Sequence, residues 1–456
     1  MSVQPPSATQ AAATGPEAAV DLGAAISPIA AGARRYTLIL LLVIYTLNFL
    51  DRQIINILAE PIKQELGLAD WQMGAMTGLA FAAIYTFLGV PMARFSDRHN
   101  RVWIVSAALA TWSAFTVLCG LATSFVQMLL ARFGVGVGEA GCTPPAQSLI
   151  TEITPKAERA RALAFYSLGV PIGSLLGMVI GGVVADQWGW RAAFLVVGIP
   201  GILLALLTVL TVKDPRGKAV LTGPQPHRQS FMEVLRLLSA RRSFWYLAVG
   251  AGLISLVGYA HQSFYGSFFL RNHRQEITDL ATGIGFAGPI GFLGLSLGLI
   301  LGISGGLGTF LGGRLGDRFA ARGEGGYMTA PAIALVIAMP ILAGVFLAPT
   351  ALGALGLLIV PTVLKGMWYG PVYAGVQGLV PDRSRATATA MLLLVINLIG
   401  LGVGPLIAGV MSDLFAIGLG EAEGLRWSMI AICLAGWVAA GCFWLGRRHL
   451  AAESIS

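Results

Sequence analysis

The sequence predicts an all-α membrane protein with twelve transmembrane helices in two pseudo-symmetric halves of six. Three observations lead there. Of 456 residues, 56% are hydrophobic and only 11% charged, against about 25% charged in soluble domains. Twelve apolar segments are each long enough to cross a hydrocarbon core of about 30 Å as a helix, and in that core only helices and closed barrels satisfy the backbone. Two loop motifs recur in the second half of the chain, at offsets of 220 and 226 residues.

Residues 1–33 are rich in Ala, Pro, Gly and Ser without Lys or Arg, as in a disordered cytoplasmic tail. The spans are expected at about 36–59, 71–95, 101–122, 125–151, 158–185, 190–212, 243–270, 281–315, 327–348, 350–377, 385–412 and 426–446. Residues 34–212 then form the first half, 213–242 a cytoplasmic linker, 243–448 the second half and 449–456 a tail. Placing both termini in the cytoplasm puts 22 of the 30 basic residues on the inner side and leaves Lys63, Arg191, Arg271, Arg274 and Arg426 outside. That asymmetry sets the orientation. From Ser230 to Arg241 the linker has apolar residues at helical spacing. An amphipathic helix at the membrane surface and a solvated linker helix fit this equally.

Short loops and the absence of Asn-x-Ser/Thr sites fit a bacterial inner membrane. The cysteines, Cys119, Cys142, Cys433 and Cys442, read as small core residues, because they show no metal-ligand spacing. There is no nucleotide-binding loop, and the basic residues are scattered rather than gathered in a patch. No enzyme activity, cofactor, metal or nucleic-acid partner is expected, and the expected state is a monomer in contact with membrane lipids.

Once the charges at the span ends are assigned to the loops, five charged residues remain inside the spans: Asp51 and Arg52 in the first, Arg132 and Glu139 in the fourth, and Lys365 in the tenth. Charges at bilayer depth face a bundle interior or a watery cavity and mark a functional site by default. A purely structural role, locking helices together, is the alternative. Arg132 and Glu139 share a helix face but lie about 10 Å apart along the axis. Depth counted along straight helices pairs Asp51 with Arg132 and makes Arg52 the nearer base for Glu139 if the first helix tilts. A buried carboxylate that gains or loses its proton as such a cation approaches can couple protons to opening and closing. His261, near the outer end of the seventh span, reads as a satisfied polar residue rather than a proton site.

Ala93-Arg-Phe-Ser-Asp97-Arg98 recurs as Gly313-Arg-Leu-Gly-Asp317-Arg318, and Pro155-Lys-Ala-Glu-Arg159-Ala-Arg161 as Pro381-Asp-Arg383-Ser-Arg385. Two six-helix repeats with a long central loop resemble the major facilitator superfamily, in which a membrane-embedded site lies between the halves. Ala93 to Arg101 resembles its signature Gly-x-x-x-Asp-Arg-x-Gly-Arg, with Ala93 and Asn100 in the glycine places. The resemblance implies a cytoplasmic latch between the halves, carried by Asp97, Arg98 and Arg101 with Asp317 and Arg318 as weaker partners. Asn100 is expected in the left-handed conformation.

Glycines recur four apart in the fifth span, at Gly169, Gly173, Gly177 and Gly181, and in the eighth, at Gly294, Gly298, Gly302 and Gly306. Each set lies on one helix face along which a backbone can approach closely. In the resembling fold these helices face each other across the halves, so the stripes imply a sliding seam; static packing fits as well.

Asn48-Phe-Leu-Asp51-Arg52, Arg132-Phe-Gly-Val-Gly-Val-Gly-Glu139-Ala, Phe165-Tyr-Ser-Leu-Gly-Val-Pro171-Ile-Gly173-Ser and Val212-Lys-Asp-Pro-Arg-Gly are similar to the spinster family of lipid transporters. The likeness is good through the first half and thin after residue 243. It implies proton-coupled export of an amphipathic lipid, such as a lysophospholipid or sphingosine 1-phosphate, through Asp51, Glu139, Arg52 and Arg132. Gln53 departs from the family, which usually has Tyr there.

The repeat offset places Glu139 opposite Lys365. Lys365, flanked by Trp368, Tyr369 and Tyr373, is the candidate for attracting an anionic head group while apolar walls hold the tail. A lysine held by a backbone carbonyl or a distant acid is the alternative. The expected activity is secondary active transport by alternating access. A proton symporter of small organic anions and a non-transporting receptor or scaffold are the rivals.

Overall fold

The computed structural model describes residues 30–215, 231–323, 325–381 and 384–453. Most of the expected N-terminal tail and the middle of the linker lie outside the described residues. Nine helical blocks are long and apolar enough to cross a membrane. One of them, Lys156–Thr211, holds two spans separated at Gly189. Asp70–Arg98 and Phe125–Ile153 make the remaining pair and bring the described spans to twelve. The chain is an integral, multi-pass membrane protein.

The first span is Ala31–Ile57, followed by a short helix, Ala59–Leu66. The second runs Asp70–Arg98, the third Arg101–Leu121, and the fourth Phe125–Ala140 and Thr143–Ile153. The fifth and sixth share Arg159–Ser167 and Gly169–Thr211. After a linker helix, Phe231–Ser239, the seventh span is Arg242–Asn272. The eighth covers Pro289–Ala320, the ninth Gly326–Leu347, the tenth Ala351–Gln377, the eleventh Arg385–Leu419 and the twelfth Glu421–Glu453. Both described chain ends lie at one end of the bundle, the terminal end; the opposite is the far end.

Helix boundaries follow local chemistry. Ser124 and Thr350 cap the fourth and tenth spans through their side-chain oxygens. Asn100 likewise caps the third, accepting from the Trp103 N–H at 3.1 Å. Its φ of −63° and ψ of 116° are extended rather than left-handed, because a capping residue stands just outside the helix it closes. Gly189 and Gly420 both sit at φ 82°, ψ 163°, a conformation that L residues rarely adopt, and they turn the chain between spans five and six and between eleven and twelve.

Single π-helical turns interrupt three spans, at Ala75–Leu79 in the second, Ile300–Ser304 in the eighth and Ile396–Val403 in the eleventh. The fifth breaks instead at Leu168, between two α-helical stretches. The linker helix buries Val234 and Leu238 against the second half, where it touches the seventh and eleventh spans. Residues 449–453 continue the last helix instead of forming a tail, and the Glu453 carboxylate accepts from the Ser243 N–H at the start of the seventh span, 3.1 Å away.

The glycine stripes divide differently from the expected seam. Cβ atoms added at Gly169, Gly173, Gly177 and Gly181 would meet Tyr45, Thr46, Leu50 and Ile54 of the first span, so this stripe packs within the first half. Of the other stripe, Gly294 meets Met178 and Gly298 meets Leu175, both on the fifth span, while Gly302 and Gly306 have nothing within 4 Å. The fifth and eighth spans do meet across the halves, toward the far end, where Gly182 backs onto Ile290.

A Cβ at Gly173 would stand 2.2 Å from the Thr46 carbonyl oxygen. Gly173→Ala should therefore cost about 1–3 kcal/mol by forcing two helices apart. Gly306→Ala, facing open space, should be neutral or stabilising by about 0.5–1 kcal/mol. Thermal unfolding in detergent compares them, and equal melting temperatures would contradict this packing.

Candidate functional site

A cavity of about 570 Å³ lies between the halves, within the range of small-molecule sites. Phe49 and Gln53 of the first span and Pro171 and Met178 of the fifth form one wall. Tyr259 and Gln262 of the seventh, Gly302 to Thr309 of the eighth, and Lys365, Trp368 and Tyr369 of the tenth form the other. Toward the terminal end the eighth-span wall is accessible at Gly306 and Thr309.

Lys365 reaches this wall as expected, and its ammonium has no hydrogen bond or ion pair among the described residues. Trp368 and Tyr369 stack beside it with ring centroids 4.1 Å apart. Tyr373 packs behind them against the core rather than in the wall.

Asp51, Arg132 and Glu139 lie behind the first span, inside the first half, each no more than 2% exposed. The first helix thus separates them from the cavity: its Phe49 and Gln53 look into the hollow while Asp51 looks inward. Arg52 and Glu139 are ion-paired, Nε to Oε2 at 2.5 Å, so the first helix does bring Arg52 to the deeper acid. The Arg52 guanidinium also sits 4.6–5.0 Å from the ring centroids of Phe49, Phe81 and Tyr85, an aromatic cage that stabilises a desolvated cation.

The expected Asp51–Arg132 contact does not form. Asp51 turns toward Thr116 and Trp112 of the third span, and Arg132 lies over the Phe81 ring at 5.8 Å. Arg132 acts on both acids through space without an ion pair to either. Asn48, one oxygen of Asp51, Arg132 Nε and Glu139 Oε1 are all buried without a hydrogen-bond partner. Native proteins leave few such atoms, so a cluster of them calls for an explanation. His261 is a core residue whose Nε2 lies 2.8 Å from the Met429 carbonyl oxygen while its Nδ1 is buried without a hydrogen-bond partner, so the expected satisfied residue is only half satisfied.

The latch residues whose side chains are described, Arg98, Arg101, Asp317 and Arg318, are not gathered. Arg101 is fully buried and holds Asp214 at 2.6 Å and Glu152 at 2.5 Å, so it clamps the third, fourth and sixth spans within one half. Asp214 also accepts from the Arg101 N–H at 2.8 Å and so caps the third span. Arg98, Asp317 and Arg318 are exposed and show no ion pair among the described residues. The side chain of Asp97 lies outside the described residues.

At the far end the halves are sealed by a network that the sequence pattern did not single out. Arg271 of the seventh span donates to both oxygens of Asp70, at 2.7 and 2.8 Å, and to Glu60 at 2.8 Å. Lys63 reaches Asp70 at 3.1 Å and Glu421 at 3.2 Å, and Ser412 donates to Asp70 at 2.6 Å. Two carboxylates also cap helices of the opposite half. Asp413 accepts from the N–H groups of Asp70 and Trp71, and Asp186 from those of Ile290 and Gly291. An anion at a helix N-terminus satisfies free N–H groups and meets the positive end of the helix dipole. Asp186 and Asp413 occupy corresponding ends of the fifth and eleventh spans, although the repeat offset of 226 sets Asp186 against Ser412, one residue short of Asp413.

Residues 41–398 match the family model of the Major Facilitator Superfamily. The structure superposes with a TM-score of 0.83 on a crystal structure of a bacterial homologue of the human lysosomal transporter spinster, inward-facing and unoccupied, at 33% identity over 93% of this chain and 99% of that one. An MFS-type efflux pump of Mycolicibacterium smegmatis (strain ATCC 700084 / mc(2)155) is 30% identical over 90% of this chain and 92% of its own. A probable L-galactonate transporter of Escherichia coli (strain K12) is 29% identical over 37% of each chain.

Proposed function

The chain belongs to the major facilitator superfamily, in its bacterial-type spinster branch, and from that premise we propose a proton-coupled secondary transporter of anionic amphipathic lipids that works by alternating access. The observation that carries the reading is Lys365, an ammonium without a counter-ion among the described residues, in a hollow between the halves whose other lining residues are all uncharged. Such a group costs free energy until an anion joins it. The loop-charge asymmetry puts the terminal end in the cytoplasm, so the hollow faces inward and the sealed far end faces out, as in the inward-facing relative.

Proton coupling belongs to the cluster behind the first span. With Glu139 ionised, Arg52 is held on Oε2; a proton arriving on Oε1, the oxygen without a partner, weakens that hold. The cage of Phe49, Phe81 and Tyr85 then keeps the guanidinium in place as a cation. Tyr259, on the opposite cavity wall, lies within electrostatic reach of Arg52.

In proteoliposomes, Lys365→Ala should weaken uptake of lysophosphatidylglycerol about tenfold or more and leave a neutral monoacylglycerol unchanged. Equal effects on both would defeat the assignment. The likeness to the L-galactonate transporter favours a second reading, a small organic-anion symporter. Competition by lysolipids but not by sugar acids supports the first; the reverse supports the second.

A further inference from the structure

Gln53 and Gln262 stand on opposite walls of the cavity, one from each half, and touch. Gln53 Oε1 accepts from Gln262 Nε2 at 2.7 Å and from Asn56 Nδ2 at 3.0 Å. Every other cross-half side-chain hydrogen bond among the described residues belongs to the far-end seal. Gln53 is nine-tenths buried. Each amide has used only one edge. The Nε2 of Gln53 and the Oε1 of Gln262 have no partner among the described residues, and neither is enclosed away from the hollow. A donor and an acceptor are thereby offered side by side.

We infer that this amide pair is a selectivity clasp that favours substrates carrying a hydroxyl or amide group beside their anionic group. The inference rests on the anionic-amphiphile reading above. A hydroxyl both donates and accepts, so it can meet the Gln53 N–H and the Gln262 carbonyl together. A head group without one strips water from both amide edges and returns nothing, and a site built for hydrogen bonding rejects such analogues. Charge is read by Lys365 and hydroxylation by the clasp. Because the two amides come from different halves, a hydroxyl held on both free edges adds a second bridge beside the Gln262–Gln53 hydrogen bond.

Two probes with one tail and one charge separate these roles: hexadecyl phosphoglycerol and hexadecyl methyl phosphate, both monoanionic diesters. With the purified full-length protein in nanodiscs, the glycerol diester should bind about tenfold more tightly than the methyl diester. Gln53→Leu and Gln262→Leu should each bring that ratio to about one, whereas Lys365→Ala should weaken both probes and keep the ratio. If one glutamine variant is not monodisperse, the other decides, since they lie on different halves. A wild-type ratio near one, or a ratio that survives both leucine substitutions, overturns the clasp while leaving the anionic-amphiphile reading intact. Binding of neither probe overturns both.

Discussion

Glu139→Gln is expected to abolish uphill transport while leaving downhill exchange of the same substrate running. One proton moved per substrate across a gradient of about one pH unit supplies about 1.4 kcal/mol, enough for about a tenfold accumulation. Glutamine holds Arg52 with a neutral acceptor but cannot cycle a proton, so accumulation in vesicles should fall to the ratio set by the substrate gradient alone. Arg52→Ala is the contrasting change. It leaves the fully buried Glu139 carboxylate without its 2.5 Å partner, and removing one member of a buried ion pair costs about 3–5 kcal/mol. Its thermal midpoint should drop well below that of Glu139→Gln. Persistent gradient-driven accumulation by Glu139→Gln would remove Glu139 from the coupling step.

Arg271→Ala should open the far end. The arginine holds two buried acids of the opposite half, Glu60 and Asp70, and without it Glu60 has no cation among the described residues while Asp70 keeps only Lys63, which also serves Glu421. Carboxylates left in that position repel each other and gain by moving into water. The amides held by Asp186 and Asp413 report the change: those of Ile290 and Gly291 on one side, Asp70 and Trp71 on the other. Their hydrogen exchange should accelerate about a hundredfold or more, equivalent to about 2.7 kcal/mol of lost closure. Exchange should stay slow in the packing between the first and fifth spans, which does not cross the halves. Unchanged exchange at Ile290 and Gly291 would mean that the seal does not depend on Arg271.

Much of this architecture was legible because membranes simplify sequences. Apolar length alone located the spans, and the few charges within them stood out by their cost. Arg52 and Glu139 were readable as neighbours only on the condition that the first helix tilts, since depth alone set them apart. Asp51 and Arg132 were not, because depth along an axis says nothing about azimuth, and Asp51 faces the third span. Glycine spacing announced a close backbone approach without saying whose; for the fifth span it was the first, not the eighth. Arg101 matched a latch motif, yet its partner Asp214 lies 113 residues away in the same half. Lys63 and Arg271 were counted as loop charges that orient the protein, which concealed their pairing with acids at the mouths of the spans.

The π-helical turns in the second, eighth and eleventh spans, wider and less tightly wound than an α-helix, with the break at Leu168 in the fifth, give each of these four helices a joint within its length. Hydrogen bonding there is already out of register, so bending at that point sacrifices little. One mouth can therefore swing while the rods beyond the joint stay seated. A molecule so hinged need not tilt as two solid blocks; it can pass through a form shut at both ends, with its cargo wholly enclosed.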